Sequence, residues 1–554
     1  MSLTKSNKIF LICVSFICFF LCLYPYLRLA ENTIALNLEG KGLMFSVMRV
    51  LKNGLTQKAL INTFLISSLT TIFSVAFATP LAWLLSRIKV SGHKNWITLF
   101  TLPYAIPPFV GAIAWITLAS PSSGLLNNVF GIGTFNIYST IGLVFVLTSF
   151  FYTYVLLSIL HGLNSMDSSL EEAARLSGAS PLRVFFDVAL PILSPNLKSS
   201  ALLVFLASAA SFGVPALIGS PGSIYLLTTR IYMFQKMGSL NGISAASLLS
   251  FILIFMTILI VIVNQLLYRA KDMGVVQGKS SRISRIDLGN LNILFQLLLG
   301  GIFLILFILP VTSILISSLS KVQGVFEWKN LGLQNFKQLL FELPEFGVSL
   351  KNSLVLSSSV ATVCVVLGLI LSYIDIRTKI IGKFLIRSVP VLSFSTPGTV
   401  LALAVLLSFG RRMGMISLYN TLFLIGLAYL IKYLSFSVRT ISDGMRQIDK
   451  SLEEASLLCG ASLTRRFIDL WFPILRPSII SAWFLIFMPC FSELTMTILL
   501  TGPGLETLGT LLFQLQEYGD SGGGGAASLS VLLIFFILMI NFFVKKVSKG
   551  KYGL

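Results

Sequence analysis

Two carboxylate pairs, Glu171-Glu172 and Glu453-Glu454, carry the clearest chemical signal in the sequence. Residues 167–195 read DSSLEEAARLSGASPLRVFFDVALPILSP, and residues 449–477 read DKSLEEASLLCGASLTRRFIDLWFPILRP. The two stretches are identical at 17 of 29 positions at a constant offset of 282. Both are polar islands in an apolar chain. Ionised carboxylates accept charge-assisted hydrogen bonds, which are roughly twice as strong as neutral ones. The small residues beside them, Ala173 and Ala174 in one copy and Ala455 and Ser456 in the other, allow close approach of a second surface. This is chemistry for recognition rather than for making bonds. Metal binding finds no support: His93 and His161 lie far apart, and Cys13, Cys18, Cys22, Cys364, Cys459 and Cys490 mostly fall inside apolar runs with no CxxC pair.

The elements that must hold these residues can be read from the same stretches. Glu, Ala, Arg and Leu are strong helix formers, so Leu170 to Leu176 predicts a short helix. Gly178 supplies the turn after it, where a helix C-terminus commonly needs positive φ. Ser180 can cap a second helix whose first position is Pro181. Leu182, Phe185, Phe186, Ala189 and Leu190 recur at helical spacing and give that helix one apolar face. Pro191 and Pro195 are expected to end it and turn the chain back towards the membrane. The second copy repeats the pattern with Glu453, Glu454, Ala455, Gly460, Ser462, Asp469, Pro473 and Pro477. Such a helix-turn-helix could cover the ends of neighbouring spans. It could instead plug into a soluble partner, with Ala173 and Ala455 at the contact and donors on the partner fixing Glu172 and Glu454. A mere cover need not recur this closely, so docking is the expectation.

Bulk composition says what the loops are attached to. Of 554 residues, 55% are hydrophobic and 11% charged, and mean hydropathy is +0.89. That is too few charges for a soluble surface of this size, so the chain reads as an integral membrane protein. The net charge of +20 is read as Lys and Arg flanking membrane spans, with no nucleic-acid partner implied. A span needs about 20 apolar residues. Twelve segments qualify, at 8–29, 60–86, 97–119, 137–162, 198–219, 244–268, 293–318, 352–374, 386–408, 417–438, 478–500 and 526–546. Lys5 and Lys8 give the first a likeness to a secretion signal. It is long, however, with no convincing cleavage site, and has a counterpart at 293–318, so it is expected to remain as a helix. Placing both termini in the cytoplasm puts most Lys and Arg there, as the positive-inside rule requires, with Arg411 and Arg412 as local exceptions. Both carboxylate loops then fall in the cytoplasm, each after the fourth span of its half.

The repeat extends past the loops. Leu60-Ile61-Asn62-Thr63-Phe64 and Leu350-Lys351-Asn352-Ser353-Leu354 open the second and eighth spans at offset 290. Pro107-Pro108 and Pro397-Gly398 break the third and ninth at the same offset. Pro221-Gly222 and Pro503-Gly504 follow the fifth and eleventh at offset 282. The expected fold is an all-α integral membrane protein with twelve transmembrane helices in two tandem parallel six-helix repeats. Its parts are residues 1–268, a cytoplasmic linker 269–292, and residues 293–554. Glu493 is the acidic residue well inside a span, with Ser211 as its counterpart. An intramembrane carboxylate is either functional or a structural hydrogen bond to a neighbouring helix, and both readings stay open. Backbone freed at Pro107 and Pro397 must face protein or a water-filled cavity, so these breaks either line a pathway or only kink the helices. Gly274 to Ser280 looks superficially like a phosphate loop, but that motif needs four residues between its glycines and has three here, so it is read as linker. The run Gly522–Gly525 is read as a flexible turn.

Glu-Ala-Ala, a glycine after three residues, and a hydrophobic-x-Leu-Pro ending resemble the signature cytoplasmic loop of ABC importer permeases. Here they are Glu172-Ala173-Ala174, Gly178 and Val188-Ala189-Leu190-Pro191. The second copy, Glu454-Ala455-Ser456, Gly460 and Leu470-Trp471-Phe472-Pro473, departs mildly at Ser456 and Phe472. The resemblance covers essentially the whole chain, as two fused copies of the binding-protein-dependent permease domain. It implies the type I ABC importer permease fold in the bacterial cytoplasmic (inner) membrane, with each loop helix seated in one of two copies of an ABC ATP-binding subunit. It also implies a periplasmic or lipid-tethered substrate-binding protein. ATP would sit on the partner subunits, so this chain would be no enzyme and bind no cofactor. Fused two-copy permeases are typical of ferric-iron importers, and also of some thiamine and phosphonate systems. Leu102-Pro103-Tyr104-Ala105-Ile106-Pro107 and Ser211-Phe212-Gly213-Val214-Pro215-Ala216 look most like iron-type permeases, which makes ferric iron the expected cargo. Three rivals remain. An ion-coupled secondary transporter would place several charges at mid-membrane, where this chain offers essentially Glu493. A channel would need a filter-like segment, and a scaffold would bind the ATPase without transporting.

Overall fold

A computed structural model describes residues 5–36, 40–268, 285–325, 327–378, 396–410, 417–519 and 524–547. Among the described residues the chain is helical apart from isolated bridges, and nine helices are long and apolar enough to cross a membrane. The number is eleven if each of two sharply bent helix pairs counts as one span. Every apolar segment of the sequence meets a helix in the expected order. The first part of segment 386–408 lies outside the described residues, as do Arg411, Arg412, Gly274 to Ser280, most of the linker and the first two glycines of Gly522–Gly525.

Proline breaks the third segment where expected. His93–Ala105 and Pro108–Ala119 meet at 98°, with Pro107 extended at ψ 132° between them. Gly398–Phe409 likewise starts directly after Pro397 and, like Pro108–Ala119, has 12 residues. The fifth and eleventh segments are shorter than hydropathy indicates. Their helices stop at Ala210 and Phe491, and the apolar run continues as turns, Pro215–Gly219 and Thr497–Leu500. Past the first stop the chain lies close against the Pro108–Ala119 helix, where a Cβ at Gly213 would lie 2.5 Å from Phe109 Cβ.

Two helices, Gly54–Arg87 and Pro344–Arg377, each run for 34 residues. Small and hydroxyl residues form their buried stripes, including Thr63, Ser67 and Thr70 in one and Ser353, Ser357 and Gly368 in the other. Without a hydrophobic drive between helices in lipid, such stripes hold helices together by close backbone approach. At the contact with Leu422–Arg446, Ser437 Oγ donates to Cys364 O at 2.7 Å, and a Cβ on Gly368 would lie 2.5 Å from that hydroxyl. Gly368→Leu is therefore expected to cost about 1–3 kcal/mol by overpacking, read as a lower unfolding temperature in detergent. Gly426→Ala, whose Cβ would meet its nearest neighbour at 3.5 Å, is the matched control and should leave that temperature unchanged.

The first helix of each half of the chain packs on the other half. Lys5–Ile34 lies against Gly398–Phe409, where Tyr26 Oη donates to Thr396 Oγ1 at 2.9 Å. Leu309–Leu319 lies against Pro108–Ala119, where Ser313 Oγ donates to Ala114 O at 2.9 Å. The two halves are thus interlocked rather than side by side.

Candidate functional site

The repeated stretches fold alike, turn by turn. Asp167 caps Ser168–Leu176 by accepting from Ser169 N at 3.0 Å, and Asp449 caps Lys450–Leu458 by accepting from Ser451 N at 2.9 Å. That backbone donation holds the Asp449 carboxyl below its ordinary pKa. Gly178 sits at φ +84° and Gly460 at φ +72°. Ala179 N donates to Ala174 O at 3.0 Å and Gly178 N to Arg175 O at 2.9 Å, the two bonds of a Schellman cap. Ala461 and Gly460 repeat both bonds at 3.1 and 2.9 Å. Ser180 and Ser462 then cap the next helices by accepting from Arg183 N and Arg465 N at 3.4 and 3.3 Å.

The prolines act differently in the two copies. In the first, the second helix ends at Ile192, between Pro191 and Pro195, and the chain turns there as expected; in the second, the helix runs on from Thr464 to Phe491. A wide π-type turn, Phe185–Ala189, precedes Pro191, and the chain bends by 72° at Leu193 into Ser194–Ala210, with Pro195 in its first turn. In the second copy the turn is Phe467–Trp471, and Phe472–Phe491 runs straight through Pro477. A proline ring clashes with the carbonyl four residues back and donates no N–H. The extra residue in a π turn relieves both problems just ahead of Pro191 and Pro473, so each proline is carried within its helix, and only the first copy breaks, at Leu193.

The carboxylates of each pair have opposite fates. Glu172 and Glu454 face outward, beside exposed Ala173 and Ala455 and half-buried Ala174 and Ser456. Leu176 and Leu458 are each 90% exposed, and Phe186 and Ile468 each 58%. These apolar side chains stand beside acidic ones on a polar loop, in duplicate. Glu171 and Glu453 turn inward and are buried. Glu171 Oε2 lies 2.7 Å from Arg87 Nε and 3.8 Å from Arg175 Nη2. Arg87 is fully buried, and its Nη2 also donates to Leu163 O at 3.3 Å. Glu453 Oε1 lies 2.5 Å from Arg377 Nε and accepts from Trp471 Nε1 at 3.1 Å. Arg377 Nη2 donates to Met445 O and Ile448 O at 3.1 and 2.8 Å. Arg87 and Arg377 each end one of the 34-residue helices. Sequence reasoning missed both. The available signal was an arginine closing the second and eighth spans at their shared offset of 290.

The proposed pathway residues lie on segments that meet inside the bundle. Gly213, two residues past Ser211, packs on Phe109 and Leu494; Gly398, next to Pro397, packs on Thr495 and Met496. Pro107, Ser211, Pro397 and Glu493 thus all sit at helix breaks in one region. Ser211 O accepts from Thr228 Oγ1 at 2.7 Å. Glu493 is 9% exposed, and its Oε2 accepts from Met496 N at 2.9 Å, Thr497 N at 3.1 Å and Thr497 Oγ1 at 3.1 Å. These donors come from its own following turn rather than a neighbouring helix. Lys432, overlooked in the count of intramembrane charges, lies in the tenth segment and donates through Nζ to Thr396 O at the Pro397 break. A lysine within an apolar span was visible in the sequence, but nothing there tied it to Thr396.

Two stretches of the chain, residues 54–277 and 364–550, match the family described as binding-protein-dependent transport system inner membrane component. The ferric transport system permease protein FbpB of Actinobacillus pleuropneumoniae is 29% identical over 445 residues, which are 79% of this chain and 63% of that protein. Two Haemophilus influenzae proteins are each 28% identical. The putative ferric transport system permease protein FbpB 1 aligns over 85% of this chain and 74% of its own length. The Fe(3+)-transport system permease protein FbpB 2 aligns over 85% and 88%. With both of its matched stretches together spanning most of its length, this chain belongs to the binding-protein-dependent transport system inner membrane component family.

Proposed function

We propose that this chain is the transmembrane permease subunit of an ATP-driven ABC importer. Its twelve transmembrane helices form two tandem six-helix repeats, residues 1–268 and 293–554, in the bacterial inner membrane, with the linker and both termini in the cytoplasm. The helices Ser168–Leu176 and Lys450–Leu458 each dock into one ATP-binding subunit, which holds the ATP. A substrate-binding protein delivers cargo to the opposite face. The observation that carries this reading is the twin outward surface of Glu172, Ala173 and Leu176 and of Glu454, Ala455 and Leu458, presented at equivalent places by equivalent caps. Two leucines at 90% exposure beside a carboxylate have no use on a loop that covers its own bundle. They fit a partner cleft with an apolar floor and cationic donors. Gly178 and Gly460 aim each helix outward.

In the transport cycle, ATP must favour one arrangement of the two halves over the other, and the docking helices carry that difference. The helix breaks at Pro107, Ser211, Pro397 and Glu493 line the pathway between the halves. Ferric iron is the cargo this reading favours, supported by the similarity to three ferric transport permease proteins; thiamine and phosphonate are the alternatives. Glu493 already accepts from Met496 and Thr497, and among the described residues no group of acids could hold a metal ion, so selection rests mainly with the binding protein.

The test is radiolabelled ferric-iron uptake in cells lacking this chain. They are complemented with the native sequence or with Glu172→Lys/Glu454→Lys. The native chain should restore uptake and co-purify with an ATP-binding subunit, and the variant should insert yet do neither. Uptake at equal rates in both would sink the docking assignment. Failure of both to import iron, with normal insertion, would remove iron and move the assay to thiamine and phosphonate.

A further inference from the structure

Each 34-residue helix is tied at both ends, and the ties are the same in kind in both halves. At its last residue, Gly54–Arg87 is joined to the docking helix by the buried Arg87–Glu171 pair, and Pro344–Arg377 by Arg377–Glu453. Near its first turns, Asn62 Nδ2 donates to Tyr225 O at 3.2 Å, and Thr63 Oγ1 accepts from Leu227 N at 2.8 Å. In the other half Asn352 Nδ2 donates to Glu506 O at 2.9 Å, and Ser353 Oγ accepts from Leu508 N at 2.8 Å. These bonds hold the start of two further helices, Leu227–Lys236 and Leu508–Tyr518. The two helices are themselves bridged, by Lys236 Nζ donating to Tyr518 Oη at 2.8 Å. A helix of this length spans about 50 Å at 1.5 Å per residue, more than a bilayer core of about 30 Å.

We propose that Gly54–Arg87 and Pro344–Arg377 are the transmission rods of the importer, clamped at one end to the docking helices by Arg87–Glu171 and Arg377–Glu453 and at the other to the outer helices by Asn62-Thr63 and Asn352-Ser353. This rests on the function proposed above. Arg87, Glu171, Arg377 and Glu453 are positioning residues under this reading. A buried ion pair is a weak device for stability, because well-packed apolar residues often do as well. It is a strong device against separation, because pulling it apart leaves a charge unpaired away from water. The surroundings of the two pairs differ: Arg175 stands beside Glu171, whereas Trp471 stands beside Glu453. What the two copies share is the arginine at the rod's end and the glutamate on the docking helix. A docking helix moved by its ATP-binding subunit must then move the rod, and the rod must move the outer helix. Coupling between sites is reciprocal in binding free energy, so a loaded binding protein pressing on the outer helices reaches the ATPase through the same rods.

The experiment uses the full complex of this chain, its ATP-binding subunits and its substrate-binding protein in proteoliposomes. ATP hydrolysis is measured with and without binding protein loaded with ferric iron. Asn62→Ala/Asn352→Ala lies far from the docking surface. It should leave the basal rate unchanged and lower the stimulation by loaded binding protein on the order of tenfold, within the usual range of site-to-site coupling. Glu171→Gln/Glu453→Gln keeps a hydrogen-bond acceptor for each arginine but removes the charge; in complexes that stay monodisperse, the same ratio should fall by a similar factor. Unchanged stimulation in both variants overturns the rods. So does a fall of basal and stimulated rates by one common factor, since that is what a merely structural role produces. A native chain that binds no ATP-binding subunit overturns the permease reading and this inference together. A native chain that is stimulated normally, alongside variants that are too, overturns this inference alone.

Discussion

Proline at Gly178 together with proline at Gly460 is expected to abolish uptake while the protein still inserts. Both glycines hold positive φ, at +84° and +72°, where the proline ring, locked near −65°, cannot follow. Each glycine N–H also closes its docking helix, Gly178 onto Arg175 O and Gly460 onto Leu457 O, both at 2.9 Å, and proline has no N–H to give. The penalty in each loop is about 3 kcal/mol or more, on the order of a hundredfold in the population of the native turn. The loss falls on the docking helix because the neighbouring spans hold their own contacts. Alanine at the same positions separates shape from space. Nothing lies within 4 Å of a Cβ added at Gly178 or Gly460, so only the left-handed backbone resists it, at about 1–2 kcal/mol. Uptake should therefore be reduced with alanine and absent with proline. Proline variants that transport at the native rate would end the docking account of these loops.

Replacing Arg377 by methionine is the change expected to cost most stability. It takes the Arg377 charge from Glu453, which stays at 5% exposure beside the neutral Trp471 indole N–H. Removing one partner of a buried pair costs about 3–5 kcal/mol, since the other charge stays desolvated and unpaired. Arg87→Met should be milder, because Arg175 already stands 3.8 Å from Glu171 and can move in. Arg377→Met/Glu453→Leu should recover most of the loss, as apolar pairs commonly replace buried ion pairs without penalty. Thermal unfolding in detergent, followed by loss of the monodisperse peak, ranks the three. A larger drop for Arg87→Met than for Arg377→Met would contradict the wiring seen around the two glutamates.

Much of this was legible in the chain itself, for physical reasons that act over short distances. Apolar runs of about 20 residues mark helices in a bilayer wherever they occur. Local rules of capping and glycine conformation placed the loop turns at Gly178 and Gly460, and the serine caps at Ser180 and Ser462. Pro107 broke its helix where the ring removes an N–H and clashes with the preceding turn. The same rule misled at Pro473 and Pro477, where an upstream π turn lets one helix carry both prolines. Hydropathy also overran the helices ending at Ala210 and Phe491. Apolarity reports burial and says nothing of whether the buried backbone is helical.

The sequence by itself determined that this is a helical membrane protein with one polar loop written twice, because composition, periodicity and local turn chemistry are properties of neighbouring residues. Only the tertiary structure decided that Glu171 and Glu453 face inward while Glu172 and Glu454 face out. It alone matched those inward glutamates with Arg87 and Arg377, 84 and 76 residues away in the chain, and joined Lys432 to the break at Pro397. The reason is that each member of these pairs looks, in its own segment, like an ordinary interfacial charge. Their meaning arises from the desolvation that makes an unpaired charge untenable, and desolvation exists only once the helices have packed.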